Sequence, residues 1–213
     1  WTAQGRFHFE AFGATPASAQ RWEALRERVR ASGLRNSLLI AIAPTATIAS
    51  LAGCSECIEP QVSNLFKRET LSGDFLQVNR HLVRDLQARR LWNETLRDAL
   101  KAAEGSVQGL DLPEDLKRLY RTAWELPMRA LIDLAAARQP YIDQGQSLNL
   151  FAESPSIPRL SSMYFYAWKR GLKTTYYLRS RPATRIAKAT LEAPSAAALA
   201  CSLENPESCE ACQ

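Results

Sequence analysis

Apolar residues recur every three or four positions in several stretches of the chain, which is the spacing of one buried face of an α-helix. Residues 16–32 are typical, because Trp22, Leu25 and Val29 share one face and Gly33 follows as a stop signal. The other predicted helices span residues 76–90, 93–103, 113–124, 127–138 and 159–172, with a short one at 45–51. Helices therefore dominate the predicted secondary structure.

Shorter apolar stretches between these helices predict strands. Residues 38–43 are continuously apolar and end at Pro44, which is typical of a buried parallel strand. Phe7 and Phe9 alternate with polar residues, and residues 147–151 and 174–179 are of strand length. Helices that alternate with short strands indicate an α/β class. Residues 192–213 are rich in Ala, Ser, Pro and Glu and predict a mobile tail that follows one domain over residues 1–191.

Composition and charge narrow the classes of function. The chain has 213 residues, of which 46% are hydrophobic and 23% charged, and it lacks the roughly 20 consecutive apolar residues of a membrane span. The net charge is +5, yet no Lys/Arg run with interleaved aromatic residues marks a nucleic-acid surface. Five cysteines without a signal peptide favour the cytoplasm and redox-active or free thiols. The start at Trp1, without an initiator Met, suggests one part of a split or processed polypeptide.

A candidate phosphate-binding turn follows the predicted strand at residues 38–43. A strand that passes directly into a helix exposes the helix's first N–H groups, which together with the positive end of the helix dipole suit a phosphate. Five residues form this turn: Pro44, Thr45, Ala46, Thr47 and Ile48. The hydroxyl groups of Thr45 and Thr47 add donors. The alternative interpretation is that Thr45 only caps the helix.

Adjacent tyrosines, Tyr176 and Tyr177, form a candidate radical relay. Tyrosine is readily oxidised when electron loss is coupled to proton loss, so two stacked phenols can pass on a radical. Consecutive residues of a regular strand point to opposite faces, so stacking requires irregular backbone here. The alternative interpretation is ordinary amphipathic packing.

Two Cys-x-x-Cys pairs are present. Cys209 and Cys212, at the end of the predicted tail, could exchange with a buried disulfide and then with an external reductant. Cys54 and Cys57 form the second pair. The four cysteines together could bind zinc, but more than 150 residues separate the two pairs, and such spacing is weak evidence for a shared metal site. Buried or incidental thiols are the alternative for Cys54 and Cys57, and we predict no metal site.

The helix predicted at residues 159–172 is apolar on two sides. One stripe contains Leu160, Met163, Tyr164 and Ala167, and the other contains Phe165, Trp168 and Leu172. Such a helix is either deeply buried or keeps one face for a partner.

Taken in order, these segments resemble the large subunit of class I ribonucleotide reductases. The resemblance rests on motifs spread over residues 7–213, among them Gly33 to Ile40, Pro44 to Thr47, Ile58-Glu59-Pro60, Leu71-Ser72-Gly73, Asp143 to Asn149, Phe165 to Thr174, Tyr176 to Ala183, Cys201 to Asn205 and the terminal Cys-x-x-Cys. It implies the C-terminal portion of a ten-stranded α/β barrel, completed by another chain. The turn at Pro44 would hold the substrate diphosphate, and Tyr176 and Tyr177 would end the radical path from the small subunit.

The resemblance also implies partners. Cys209 and Cys212 would reduce the active-site disulfide and be renewed by thioredoxin or glutaredoxin. The small subunit would dock on Met163, Tyr164, Phe165, Trp168 and Leu172 and would carry the radical cofactor, so this chain itself would bind none. The thiyl-forming cysteine, the ribose-reducing cysteines and the ATP and dNTP effector sites match nothing here, and we expect them on a separate N-terminal chain.

The sequence therefore predicts a component of ribonucleoside-diphosphate reductase in the cytoplasm, active only with the missing chain and the small subunit. The alternative is a non-catalytic, zinc-stapled binding module derived from a reductase gene.

Overall fold

The described part of the chain contains two small sheets, and helices pack against both. A computed structural model describes residues 4–70 and 73–181. The helices are α1 (His8–Ala11), α2 (Ala19–Ser32), α3 (Ala46–Ala52), α4 (Arg80–Ala88), α5 (Glu94–Ala102), α6 (Glu114–Leu119), α7 (Met128–Arg138) and α8 (Ile157–Lys169). The strands are β1 (Leu65–Thr70), β2 (Gly73–Val78), β3 (Leu150–Ala152) and β4 (Leu178–Ser180), and 3₁₀ turns lie at Ala123–Glu125 and Gln139–Tyr141.

A parallel pair of strands forms the centre of the fold. β3 pairs with β4 in parallel, with Leu150 opposite Leu178, and α8 is the crossover between them. An isolated parallel bridge joins Ile42 to Gln146, so residues 40–42 run alongside the segment that leads into β3. This mixed arrangement of helices and parallel strands fits part of an α/β barrel. The described residues contain four strands, so the ten-stranded architecture stays a prediction.

Two hydrophobic clusters stabilise the described part. One is built from α7, α8 and β3, and its buried members are Ala123, Leu131, Ile132, Ala135, Leu148, Leu150, Phe151, Met163 and Ala167. The other is built from β1, α4, α5 and α6, and its buried members are Leu65, Leu82, Leu86, Leu100, Val107, Leu112, Leu116 and Tyr120. α4 and α5 each begin at an asparagine whose side chain accepts backbone N–H bonds, Asn79 and Asn93.

Several sequence predictions are confirmed and three are wrong. α2, α3, α5, α7 and α8 occupy the predicted stretches within a few residues, and β3 and β4 overlap theirs but each extend one residue further. α6 lies inside the stretch predicted at 113–124 but ends early, at Leu119. The strand predicted at Phe7 and Phe9 is instead the short helix α1, in which Phe7 is the N-cap and Phe9 lies in the first turn. The helical turn lets both rings pack on Trp22. The helix predicted from residue 76 begins only at Arg80, since β2 of the hairpin precedes it.

The third error concerns residues 38–43, for which we predicted a buried strand. Only the bridge at Ile42 is formed, and the side chains of Leu38, Leu39 and Ile40 are more than half exposed. The predicted tail and the domain boundary at residue 191 lie outside the described residues. Within the described ranges, no helix has the length and apolar character needed to cross a membrane.

Candidate active site: a tyrosine pair beside parallel strands

Tyr176 and Tyr177 lie in irregular backbone immediately before β4 and are in direct contact. Their ring centroids are 3.9 Å apart, with the ring planes inclined by 51°. The hydroxyl of Tyr176 donates to the hydroxyl of Tyr177 at 3.1 Å, and this hydrogen bond raises the pKa of Tyr176. Both rings are about half exposed. The expectation of irregular backbone at this point is confirmed, and the two phenols can exchange a hydrogen atom.

The backbone of the pair is held by the residues on either side of Asn149. The N–H of Tyr176 donates to the carbonyl of Leu148 at 2.8 Å, and the N–H of Leu150 donates to the carbonyl of Tyr177 at 2.9 Å. These bonds extend the parallel pairing of β3 and β4 backward by one step. The position of the pair therefore depends on the register of residues 148–150.

Lys173 anchors the segment that leads to the pair. Its ammonium group donates to the carbonyl oxygens of Ile142, Asp143 and Gln144 at 3.3, 2.9 and 3.0 Å. Burial lowers the pKa of Lys173, and the charge of Asp143 opposes that effect. Asp143 in turn accepts from the backbone N–H groups of Leu39 and Ile40. The loop at residues 142–144 thus joins the tyrosine segment to residues 39–40, which precede the phosphate turn.

The candidate phosphate turn leads into α3 as predicted, but the strand expected before it is reduced to the single bridge at Ile42. Thr45 precedes α3 with φ of 54°, a left-handed conformation that is uncommon for threonine. Its side chain makes no capping hydrogen bond, so the alternative role as a simple side-chain cap is not observed. Thr45, Ala46, Thr47 and Ile48 are exposed, and Pro44 is half-buried. The residues that carry the first N–H groups of α3 are therefore exposed.

Sequence reasoning did not identify a buried polar network behind the pair. The carboxylate of Glu59 accepts from the backbone N–H of Asn149 at 3.2 Å and from its Nδ2 at 3.0 Å. Glu59 also accepts from Nε2 of Gln146 at 3.5 Å, and Oε1 of Gln146 accepts from Nε of Arg138 at 3.0 Å. Glu59, Gln146 and Asn149 are all buried. Their motifs entered the sequence analysis only as points of resemblance, because nothing in local spacing marks a buried carboxylate.

Cys54 and Cys57 are unpaired thiols next to this network. Cys54 is exposed and Cys57 is half-buried, and both line a cavity of about 540 Å³ that Asn149 and Arg179 also line. Sγ of Cys57 accepts from Nδ2 of Asn149 at 3.2 Å, and burial, assisted by the charge of Glu59, raises the pKa of Cys57. The described ranges contain no group of three or more potential metal ligands. The predicted redox pair, Cys209 and Cys212, lies outside them.

The predicted docking residues on α8 divide between the core and the surface. Met163 is buried in the α7–α8–β3 cluster and Leu172 packs against it, so these two do not belong to an exposed face. Tyr164, Phe165 and Trp168 are exposed, and the rings of Phe165 and Trp168 contact edge to face with centroids 6.4 Å apart. One side of the helix is thus buried in the core and the other is exposed, and docking of a partner on the exposed side stays a prediction.

Comparison with known proteins identifies the family of this chain. A profile of the ribonucleotide reductase barrel domain matches residues 2–178. The ribonucleoside-diphosphate reductase large subunit of Vaccinia virus (strain Copenhagen) is 44% identical over 193 residues, which are 90% of this chain and 25% of the relative. That of Trypanosoma brucei brucei is 51% identical over 173 residues, covering 80% of this chain and 21% of the relative.

A solved structure is also similar. The class Id ribonucleotide reductase alpha subunit of Actinobacillus ureae matches with a TM-score of 0.62 and 32% identity, over 77% of this chain and 31% of that subunit. This chain spans about a quarter of the length of the curated relatives it matches. The chain belongs to the ribonucleotide reductase large-subunit family, within the barrel domain.

Proposed function

We propose that this chain supplies the C-terminal portion of the barrel in a class I ribonucleoside-diphosphate reductase. The overall reaction replaces the 2′-hydroxyl of a ribonucleoside diphosphate with hydrogen. One observation carries the proposal: the rings of Tyr176 and Tyr177 are in direct contact, tilted by 51° with centroids 3.9 Å apart, and their hydroxyl oxygens are hydrogen-bonded at 3.1 Å. Adjacent tyrosines seldom face each other without irregular backbone, and here the flanking strands fix that backbone.

The tyrosine pair would relay a radical by hydrogen-atom transfer. When one phenol has lost its hydrogen atom, the O–H bond of its neighbour breaks and a new O–H bond forms across the 3.1 Å contact. Proton and electron move together, so no net charge is left on either ring. The half-exposed rings would be covered by the other parts of the reductase.

The N-terminus of α3 would bind the substrate diphosphate. Pro44, Thr45, Ala46, Thr47 and Ile48 form a turn in which the first helical N–H groups and two hydroxyl groups can donate to phosphate oxygens. The left-handed conformation of Thr45 supports this role, because strained backbone is found disproportionately at ligand sites.

The remaining machinery would come from partners. The rest of the large subunit, which we propose to be a separate chain, would carry the thiyl-forming cysteine, the ribose-reducing cysteines and the ATP and dNTP sites. The small subunit would carry the radical cofactor and contact Tyr164, Phe165 and Trp168 on α8. Cys209 and Cys212 would reduce the active-site disulfide and be renewed by thioredoxin or glutaredoxin in the cytoplasm.

Phenylalanine substitutions test the relay. Tyr176→Phe or Tyr177→Phe removes only the phenolic O–H, so we expect turnover to be abolished while folding and substrate binding persist. The assay is reduction of a ribonucleoside diphosphate by this chain together with the rest of the large subunit and the small subunit. Tyr141→Phe is the matched control, since it also removes an exposed phenol, one that bonds only to the carbonyl of Thr15. Full turnover in either relay variant would refute the proposal.

A further inference from the structure

The buried carboxylate of Glu59 has no role in the proposed chemistry, yet it is fully engaged. Burying a carboxylate is costly unless hydrogen bonds compensate it, and Glu59 is only 7% exposed. Its carboxylate accepts hydrogen bonds from the main-chain N–H and the side-chain Nδ2 of Asn149, and a third from Nε2 of Gln146. Arg138 is linked to it through Gln146 and supplies the compensating positive charge. Both carboxylate oxygens of Glu59 are satisfied, whereas Oδ1 of Asn149 is buried with no hydrogen-bond partner among the described residues. Hydrogen bonds that compensate a buried carboxylate hold its donors in one geometry.

The geometry that Glu59 specifies is the register of the strand beside the tyrosines. Because Glu59 binds both the main chain and the side chain of Asn149, it fixes the orientation of that residue. The neighbours of Asn149 hold the pair: the carbonyl of Leu148 accepts from the N–H of Tyr176, and the N–H of Leu150 donates to the carbonyl of Tyr177. A rotation at Asn149 would move both contacts at once.

We propose that Glu59 is a positioning residue for the tyrosine pair and that it acts through Asn149. Glu59 holds residues 148–150 in the one register that brings the two phenols together. The expected effect on turnover rests on the proposed function, because it assumes that the tyrosines react. A displacement of reacting groups by about 1 Å can lower a reaction rate by about 10²-fold. The geometric part does not depend on turnover and can be measured separately.

An exchange of donor and acceptor tests the contact. Asn149→Asp places two carboxylates against each other, so the residue should turn away from Glu59 and the register should loosen. Adding Glu59→Gln restores one donor and one acceptor, because the amide introduced at position 59 can donate to the carboxylate introduced at position 149. Glu59→Gln alone is the mild variant, since it preserves size and one acceptor oxygen.

Ring-to-ring nuclear Overhauser effects in the full 213-residue chain provide the first measurement. We expect those between Tyr176 and Tyr177 to be lost in the Asn149→Asp variant and to return in the double variant. The effects between Phe7 and Trp22, whose centroids are 5.0 Å apart, should persist in every variant and serve as the internal control.

Steady-state kinetics of the assembled reductase provide the second measurement. We expect Asn149→Asp to lower kcat by about 10- to 100-fold with KM for the nucleotide nearly unchanged, and the double variant to recover most of the loss. Unchanged tyrosine contacts in Asn149→Asp, or no recovery in the double variant, would overturn the inference. So would loss of the Phe7–Trp22 control together with the pair in Glu59→Gln, because that would mark a general structural role. Intact turnover in Tyr176→Phe would instead remove the relay and leave the positioning result standing.

Discussion

Tyr120 is the residue whose ionisation should be most visible in the stability of the chain. Burial, followed by its hydrogen bond to the carboxylate of Asp85, raises the pKa of Tyr120 to about 12. Because the folded-state pKa exceeds the ordinary value of about 10, the protonated phenol favours the folded state. This contribution is fully present below pH 10 and is lost as the pH rises from 10 to about 12.

Tyr120→Phe isolates that contribution. We expect the variant to be less stable by about 1 kcal/mol at pH 7, the usual net value of such a hydrogen bond. The difference from the parent chain should shrink between pH 10 and 12. Urea unfolding at pH 7, 9.5 and 11, followed by tryptophan fluorescence, measures it, and Tyr141→Phe is the control. A difference that stays constant across this range would contradict the assignment.

Single residues also show which parts of the site were accessible to sequence reasoning. Tyr176 and Tyr177 stand out in the sequence because they are adjacent, and their contact with each other is observed, but their role as a relay came from the family resemblance and stays a prediction. Glu59 and Asn149 were not, because they are 90 residues apart and their contact exists only after folding. Met163 was assigned to a docking face, whereas it lies in the core. Two apolar stripes on one helix do not indicate which of them is buried.

At the scale of elements, amphipathic helices were predicted well and the hairpin was missed. α5 and α7 have clear apolar periodicity and recognisable starts, so their ends fall within two residues of the prediction. The β1–β2 hairpin has adjacent apolar residues at Leu65 and Phe66 and adjacent charged or polar residues at 67–70, so it lacks the alternation that would have revealed β1. Strand propensity without alternation is a weak local signal.

The close approach of the α5–α6 loop to the hairpin depends on Gly105. Its φ is +82°, and a Cβ there would lie 2.7 Å from the backbone nitrogen of Leu65 and 2.8 Å from that of Asn64. Because backbone cannot move aside as a side chain can, we expect Gly105→Ala to cost roughly 2–4 kcal/mol. Gly109→Ala is the control, with nothing within 4 Å of its Cβ position. Equal stability of the two variants in chemical denaturation would contradict the contact.

The exposed side of α8 is where we expect the small subunit to bind. Trp168 is 70% exposed, and exposed tryptophans are frequent hot spots of protein interfaces. We expect Trp168→Ala to weaken small-subunit binding at least about tenfold, with little effect on the fold. Leu119→Ala on α6 is the matched control, since Leu119 is 67% exposed on another element. Titration calorimetry measures the affinity of each variant for the small subunit. Equal affinities would contradict the prediction that α8 lies in the interface.

At the scale of the whole molecule, the described part of the chain exposes apolar side chains around the phosphate turn. Its exposed apolar side chains are Leu38, Leu39, Ile40, Ile48 and Leu51. Residues 40–42 bond to residues 144–147 along one edge, while no backbone hydrogen bond to Ala41 is formed within the described ranges. Apolar side chains next to an unpaired strand edge are typical of a surface that pairs with further polypeptide. In a reductase barrel, that polypeptide would be the adjoining strands of the large subunit.

Hydrogen exchange at Ala41 tests this completion of the barrel. We expect its amide to exchange rapidly in the chain alone and at least about tenfold more slowly once the rest of the large subunit is added, because the new strand would accept its N–H. The amides of Leu82 and Leu86 in α4 serve as controls, since both residues are already fully buried and should not respond. Mass spectrometry after pepsin digestion resolves the two regions. If Ala41 exchanged equally fast in both samples while reductase activity was restored, the missing barrel strands would have to join at another edge, and the proposed place of the phosphate turn inside the barrel would fail with it.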